Sequence, residues 1–381
     1  MKKNLIRSYV AIFVATLSVV ACTKKEDNSN KILLGEYGSM TGEVANFGQS
    51  THKGITLAQE QYNAAGGFNG KQVEVKLYDD QSKPEEAANT VTKLITQDNV
   101  VAVIGEVASS LSLVAADVAM RNKTPMLSPS STNPDVTKKG EYIFRICFID
   151  PFQGEVMAKF AGQNLHAKTA AIFRDVKQDY SVGLADFFKK AFEAHGGKIL
   201  IDTAYQSKDS DFKAQLTEIK AKNPDVIFIP GYYNDVGLIA QQARSIGIKQ
   251  PLLGGDGWDS QDLVKVGGAA LENTYFSDHY APDTTEPTAV KFIASYKAKY
   301  GNETPDAMAA LGYDAFFVMM DAIKRAKSVS REDIKNALAQ TKDFQGVTGK
   351  TTINAERNAV KSAVVLVVKD GKPKYFATVE P

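Results

Sequence analysis

Between residues 32 and 253 the sequence alternates short, almost wholly apolar runs with longer stretches of helical periodicity, and it passes through that alternation twice. Strands are expected at 32–37, 73–77, 100–104 and 125–127, with helices at 47–65, 82–97 and 109–121 between them. Ser82 stands where a cap would, with Pro84 in the first turn, and Gly66-Gly67 closes the first helix. A second round places strands at 169–173, 198–205, 225–229 and 251–253, with helices at 181–195, 211–222 and 235–245. Strands this apolar are buried on both faces, which requires helices above and below a parallel sheet. The fold class expected is therefore α/β, with two doubly wound parallel-sheet lobes. From residue 287 the pattern turns helical (287–300, 305–326, 330–341). It closes with strand-like runs at 363–368 and 375–379 around the turn Lys369-Asp370-Gly371-Lys372.

The first 21 residues stand outside this pattern. Lys2, Lys3 and Arg7 precede an apolar run from Tyr9 to Ala21 that is too short to span a bilayer, as expected of an export signal. The run ends Val19-Val20-Ala21-Cys22, which resembles a bacterial lipobox, so Cys22 is the expected lipidation site and 22–30 a polar tether. An ordinary signal peptide with an incidental cysteine is the alternative. A net charge of +1 for the whole chain becomes −2 once the three bases of the leader are removed. That balance excludes a nucleic-acid binder. Cys147 is the one other cysteine, in an apolar run at 142–149, and is expected to be a buried small hydrophobe rather than a disulfide partner or reactive thiol.

In open parallel sheets, ligands sit beyond the carboxyl ends of the strands. The loops that matter are then 35–47, 105–109, 128–133, 174–180, 230–234 and 254–260. Ser109 and Ser110 open a helix directly after a strand, where free backbone N–H groups favour a carboxylate or phosphate. Read alone, a serine there is commonly only a cap. Enzyme signatures are weak: Gly66 to Lys71 is one residue short of a P-loop, and two S-x-x-K matches (Ser50, Ser210) lack their companion motifs. The four histidines are scattered without metal-ligand spacing. The chain is read as a binding protein, not an enzyme, with no cofactor and no metal.

Several loop motifs, in order, carry a resemblance. They are Gly38-Ser39-Met40-Thr41-Gly42, Gly48 to Gly54, Asn63-Ala64-Ala65-Gly66-Gly67-Phe68-Asn69-Gly70, Tyr78-Asp79-Asp80, Val103-Ile104-Gly105, Pro129-Ser130-Ser131-Thr132, Phe144-Arg145 with Asp150 and Gln153-Gly154, and Gly231-Tyr232. Together they resemble the periplasmic Leu/Ile/Val-binding proteins, type I solute-binding proteins that deliver amino acids to ABC importers. The resemblance implies two lobes joined by three crossings, near Asp150, near 279–283 and near 346–352, with ligand in the cleft between them. The lobes would comprise 31–149 with 280–349, and 150–279 with 350–381. The implied partners are an amino acid, the permease and ATPase subunits, and a membrane reached through the N-terminal lipid, in the periplasm or at the cell surface.

The resemblance also assigns residues. Ser109 falls at the carboxylate-binding serine and Thr132 at a threonine that contacts both carboxylate and ammonium. Ser130 falls where a backbone carbonyl accepts from the ammonium, and Tyr232 where a tyrosine closes over the ligand's main chain. Asp256 matches an acid that pairs with the ammonium, and is one methylene shorter than the glutamate of branched-chain binders. Asp150 has two readings, ammonium partner or cap of the next helix. Phe47, Val107, Ala108, Tyr180 and Trp258 are the expected walls of the side-chain pocket, with Trp258 in a glycine-rich loop able to stack on a ligand. A buried zwitterion needs donors for its carboxylate and a negative partner for its ammonium, which this set supplies. The alternatives are a carboxylate, amide or aromatic acid other than an amino acid, or a sensor module that presents its closed form to a signalling partner.

Overall fold

The computed structural model describes residues 31–381; the expected leader, Cys22 and the tether lie outside the described residues. Five parallel strands form the first sheet: β1 (Lys31–Gly38), β2 (Gln72–Asp79), β3 (Ala102–Ile104), β4 (Met126–Ser128) and β5 (Ile143–Arg145), in the order β2-β1-β3-β4-β5. Between them run α1 (Ala45–Ala64), α2 (Pro84–Thr96), α3 (Ser109–Arg121) and α4 (Asp135–Lys138). Every residue of β3, β4 and β5 is buried, as a strand covered on both faces must be. α2 shows the matching helical pattern, burying Ala87, Val91, Leu94 and Ile95 along one stripe.

The second lobe begins with α5 (Asp150–Lys159). It continues through β6 (Thr169–Asp175), α6 (Asp179–Ala194), β7 (Lys198–Tyr205), α7 (Lys213–Lys222), β8 (Val226–Phe228), α8 (Tyr233–Ser245), β9 (Leu252–Gly254), α9 (Gln261–Gly267) and β10 (Tyr275–Asp278). The chain then returns to the first lobe with α10 (Pro287–Lys299), α11 (Ala307–Arg325) and α12 (Arg331–Ala339). A small antiparallel sheet follows, made of β11 (Phe344–Gly346), β12 (Gly349–Ile353) and β13 (Ala359–Val360). Finally β14 (Ala363–Lys369) and β15 (Lys372–Val379) add to the second sheet, whose order is β15-β14-β10-β9-β8-β6-β7. The β14–β15 turn has Asp370 and Gly371 at φ of 52° and 69°, the left-handed pair that a tight hairpin needs.

α1 and α11 pack so closely that a Cβ on Gly54 would lie 2.0 Å from the carbonyl oxygen of Ala309, and one on Gly312 would lie 2.4 Å from that of Thr51. This contact seals the lower layer of the first lobe over Leu34, Ile55, Ile104, Leu311 and Phe316.

Four details differ from the sequence reading. Ser82 does not cap α2: its φ is 56°, and its hydroxyl accepts from Val44 N (3.2 Å) and donates to the Thr41 carbonyl (3.1 Å), pinning the loop after β1. β5 and β10 are not among the expected strands: each is only three or four residues long with no alternation, β5 at the edge of the first sheet and β10 between β9 and β14. The small sheet β11–β13 was not foreseen either. The third crossing falls later than 346–352, because Arg357 still bonds the first lobe through Arg145 N (3.2 Å) and the Thr137 carbonyl (3.0 Å). The chain leaves that lobe only between β13 and β14. Cys147 is fully buried as expected, and burial pushes its thiol up to about 12.

Candidate functional site

The first lobe contributes two loops that stand beyond the ends of β3 and β4. Glu106 ties them together from within. Its carboxylate accepts from the backbone N–H of Ser39 (3.0 Å) and of Ala108, while its carbonyl accepts the hydroxyls of Ser128 (2.7 Å) and Ser131 (2.9 Å). Burial pushes this carboxyl well above the usual range, with Asp80 adding to the effect. From below, the fully buried Arg145 donates to the carbonyls of Ser131 and Asn133, the latter at 2.8 Å. Ser109, the first residue of α3, accepts from Asn133 N at 3.2 Å, so the two loops form one rigid edge.

Along that edge several polar atoms are buried without a protein partner: Ser130 Oγ, Thr132 Oγ1 and both carboxylate oxygens of Asp150. Asp150 joins the loop through its own N–H, which donates to the Thr132 carbonyl at 3.0 Å. The capping reading of Asp150 does not hold: it is the first residue of α5, Ile149 is the cap position, and no side-chain cap bond forms there. Burial raises its carboxyl to about 8; the nearby Thr132 hydroxyl opposes this, the Asp256 charge adds to it, and Arg145 opposes it. An unpaired acid of this kind is costly and calls for a cation or a proton.

The second lobe presents Asp256, in a single 3-10 turn after β9. Its Oδ1 accepts from Gln153 Nε2 (2.7 Å) and from the Tyr180 hydroxyl (2.9 Å), and its Oδ2 lies 3.1 Å from His279 Nε2. The flanking glycines make this crowding possible. A Cβ on Gly255 would lie 2.5 Å from both Gln153 Oε1 and the Tyr180 oxygen, and one on Gly257 would meet the Gly231 carbonyl oxygen at 2.8 Å. Tyr180 stacks on Tyr232 with rings 5.2 Å apart and nearly parallel.

The lobes meet over these residues. Phe47 of the first lobe places its ring edge-on to Tyr232 (5.5 Å) and Tyr233 (4.8 Å). Beside that contact the Tyr233 hydroxyl accepts from Asn46 N (3.3 Å), Asn133 Nδ2 donates to the Asp179 carbonyl (2.9 Å), and Asp179 N donates to Ser110 Oγ (3.1 Å). Val107 and Ala108 are buried in the same core cluster as Phe47, Tyr180 and Tyr232.

Trp258 is not among the walls. It is fully buried within the second lobe, where its indole N–H donates to the Ile229 carbonyl at 2.9 Å and its ring packs toward Phe276 and over Gly254. The glycines of its loop make room for the indole and for the Asp256 donors rather than for a lid. Sequence reasoning passed over Glu106, Gln153 and His279 and gave Arg145 no role. Gln153 and Arg145 stand inside quoted motifs, and a lone acid and a lone histidine carry no spacing that marks them as buried.

Among the described residues no helix is long and apolar enough to cross a membrane. Residues 31–372 match the family model for periplasmic binding protein. This chain belongs to the periplasmic binding protein family. It is 32% identical over 327 residues to the Leu/Ile/Val-binding protein homolog 3 of Brucella melitensis, covering 84% of this chain and 86% of that one. It is 30% identical over 337 residues to the leucine-, isoleucine-, valine-, threonine- and alanine-binding protein of Pseudomonas aeruginosa, covering 88% and 89%. Among solved structures, the leucine-binding protein LivK of Thermotoga maritima superposes with a TM-score of 0.88 at 43% identity, covering 92% of this chain and 99% of that one. The substrate-binding protein LivJ of a branched-chain amino acid transporter from Streptococcus pneumoniae, in complex with isoleucine, gives 0.87 at 38%, covering 92% and 100%. All four are named as binding proteins, and the last as the substrate-binding protein of a transporter.

Proposed function

We propose that this chain is the extracytoplasmic solute-binding lipoprotein of an ABC importer, capturing an amino acid with an apolar or branched side chain between its lobes by hinge closure. The observation that carries the reading is the row of buried, unpartnered groups at Ser130, Thr132 and Asp150. An amino acid's main chain offers the complementary chemistry: carboxylate oxygens for the Thr132 and Ser109 hydroxyls and the α3 N-terminus, and an ammonium for Asp150, Asp256 and the Ser130 carbonyl. The names of the relatives support the branched-chain class. Phe47, Val107, Ala108, Tyr180 and Tyr232 then surround the side chain. In this reading residues 1–21 are removed, Cys22 carries the lipid, and 22–30 tether the domain. The first lobe is 31–149 with 280 to about 360, and the second is 150–279 with the remainder. The closed form is handed to permease and ATPase subunits in the membrane.

The test is a thermal-shift screen of the twenty amino acids on protein denatured and refolded to strip carried-over ligand. A ligand at 100 times its Kd adds about 2.7 kcal/mol of stability. Absence of a shift with every amino acid overturns the reading. Two acids on the ammonium side argue against a carboxylate without an ammonium. The lipid assignment is tested separately, since a Cys22→Ser protein is expected to leave the detergent phase in partitioning and to lose labelled fatty acid.

A further inference from the structure

His279 follows β10 directly and lies on the second crossing between the lobes. Its ring stacks on that of Phe148, on the first crossing, with centroids 3.8 Å apart and planes inclined by 25°. The side chain has no exposure at all, Nε2 faces Asp256 Oδ2 at 3.1 Å, and Nδ1 has no partner. Burial holds the imidazole below its ordinary value; Asp256 opposes this and Lys361 adds to it. A neutral imidazole has one N–H, and only the Nε2–H tautomer places it against a group that accepts.

We infer that His279 is a positioning residue for amino-acid recognition, fixing the Asp256 carboxylate toward the ligand's ammonium through Nε2–H and tying that orientation to the two crossings it touches. The inference rests on the reading that Asp256 faces the ammonium. Asp256 is short and stands on a 3-10 turn between Gly255 and Gly257, where neighbouring groups approach so closely that no Cβ would fit on either glycine. Gln153 and Tyr180 both donate to Oδ1, which leaves Oδ2 to His279. The bond from His279 sets the second oxygen, the one whose position decides how the carboxylate faces the ligand. Because the ring stacks on Phe148, a change in the angle between the crossings shifts the donor relative to Oδ2.

Three variants separate aiming from packing. Glutamine places its amide nitrogen where Nε2 sits but removes the ring stack; phenylalanine keeps the stack and removes the donor; asparagine's amide falls at the Nδ1 position. Kd for L-leucine is measured by calorimetry on refolded protein, with melting temperatures recorded alongside. His279→Gln is expected within about threefold of wild type, and His279→Phe and His279→Asn are expected to bind at least about tenfold more weakly, the scale of one lost hydrogen bond to a charged group. In an Asp256→Asn background the three are expected to converge. Phe binding as well as or better than Gln, or the same ranking persisting without Asp256, overturns the inference and leaves the functional reading intact. Wild-type protein that binds neither L-leucine nor any other amino acid overturns the functional reading itself, and this inference with it.

Discussion

The hydroxyl of Tyr180 donates to Asp256 Oδ1 across 2.9 Å while its ring lies flat against Tyr232, so one side chain serves both the polar and the apolar half of the cleft. Tyr180→Phe removes the donor and keeps the stacked ring. Affinity for the captured amino acid is expected to fall by about 1.5–3 kcal/mol, as for other hydrogen bonds to charged groups. Calorimetry measures it. A purely apolar wall at this position would leave affinity nearly unchanged.

Asp150 makes ligand stabilisation depend on pH. Its folded-state carboxyl sits at about 8, above the ordinary carboxylate value in the unfolded chain, so the folded protein holds the extra proton. The ligand-free fold is therefore expected to lose stability as pH rises from about 4 to about 8. An ammonium beside Asp150 offsets that loss by pairing with the ionised form. The rise in Tm on adding the amino acid should grow across the same window, and Asp150→Asn should flatten the growth. A ligand-induced shift in wild type that is constant with pH would place the ammonium elsewhere.

Trp258 separates a core residue from a pocket wall. Trp258→Phe removes one of the two donors to the buried Ile229 carbonyl, leaving that from Gly231 N (2.8 Å), and opens space over Gly254. A loss of about 1–3 kcal/mol in unfolding free energy is expected by urea titration. The preference among leucine, isoleucine, valine and phenylalanine is expected to stay as in wild type. A reordered preference would show that the indole reaches the ligand.

Gly54→Ala probes the seam between α1 and α11. The new methyl group would meet the Ala309 carbonyl and force the helices apart, at a cost of about 1–3 kcal/mol in unfolding free energy. Binding stoichiometry should not change, because the seam lies away from the cleft. Unaltered stability would mean that the helices separate more easily than their packing implies.

The layering of this molecule was legible because central parallel strands such as β3 and β8 are apolar at every position, while β2 shows in the alternation of Val73, Val75 and Leu77 with Glu74 and Lys76, and helical periods separate them. β5 and β10 escape notice because they hold only three and four residues, with Arg145 in one and Ser277 and Asp278 in the other breaking the apolar run. For the candidate site, the serines, Thr132, Tyr232 and the two aspartates came from motif order. Their support did not: Glu106, Arg145 and His279 act through backbone carbonyls, N–H groups and one carboxylate that only folding brings near them. Trp258 misled for a related reason, since glycines beside a large ring signal close approach without saying from which side.

The α1–α11 seam also bears on the order in which the chain can mature. Residue 54 cannot meet residue 309 until most of the polypeptide exists, so an N-terminal fragment ending before Ala307 keeps the Ile55 face of α1 bare. Completion of the first lobe is therefore a late event, after the contiguous core of the second lobe has been synthesised. A chain built this way leaves its first lobe open until α11 has been made, however early its own strands were synthesised.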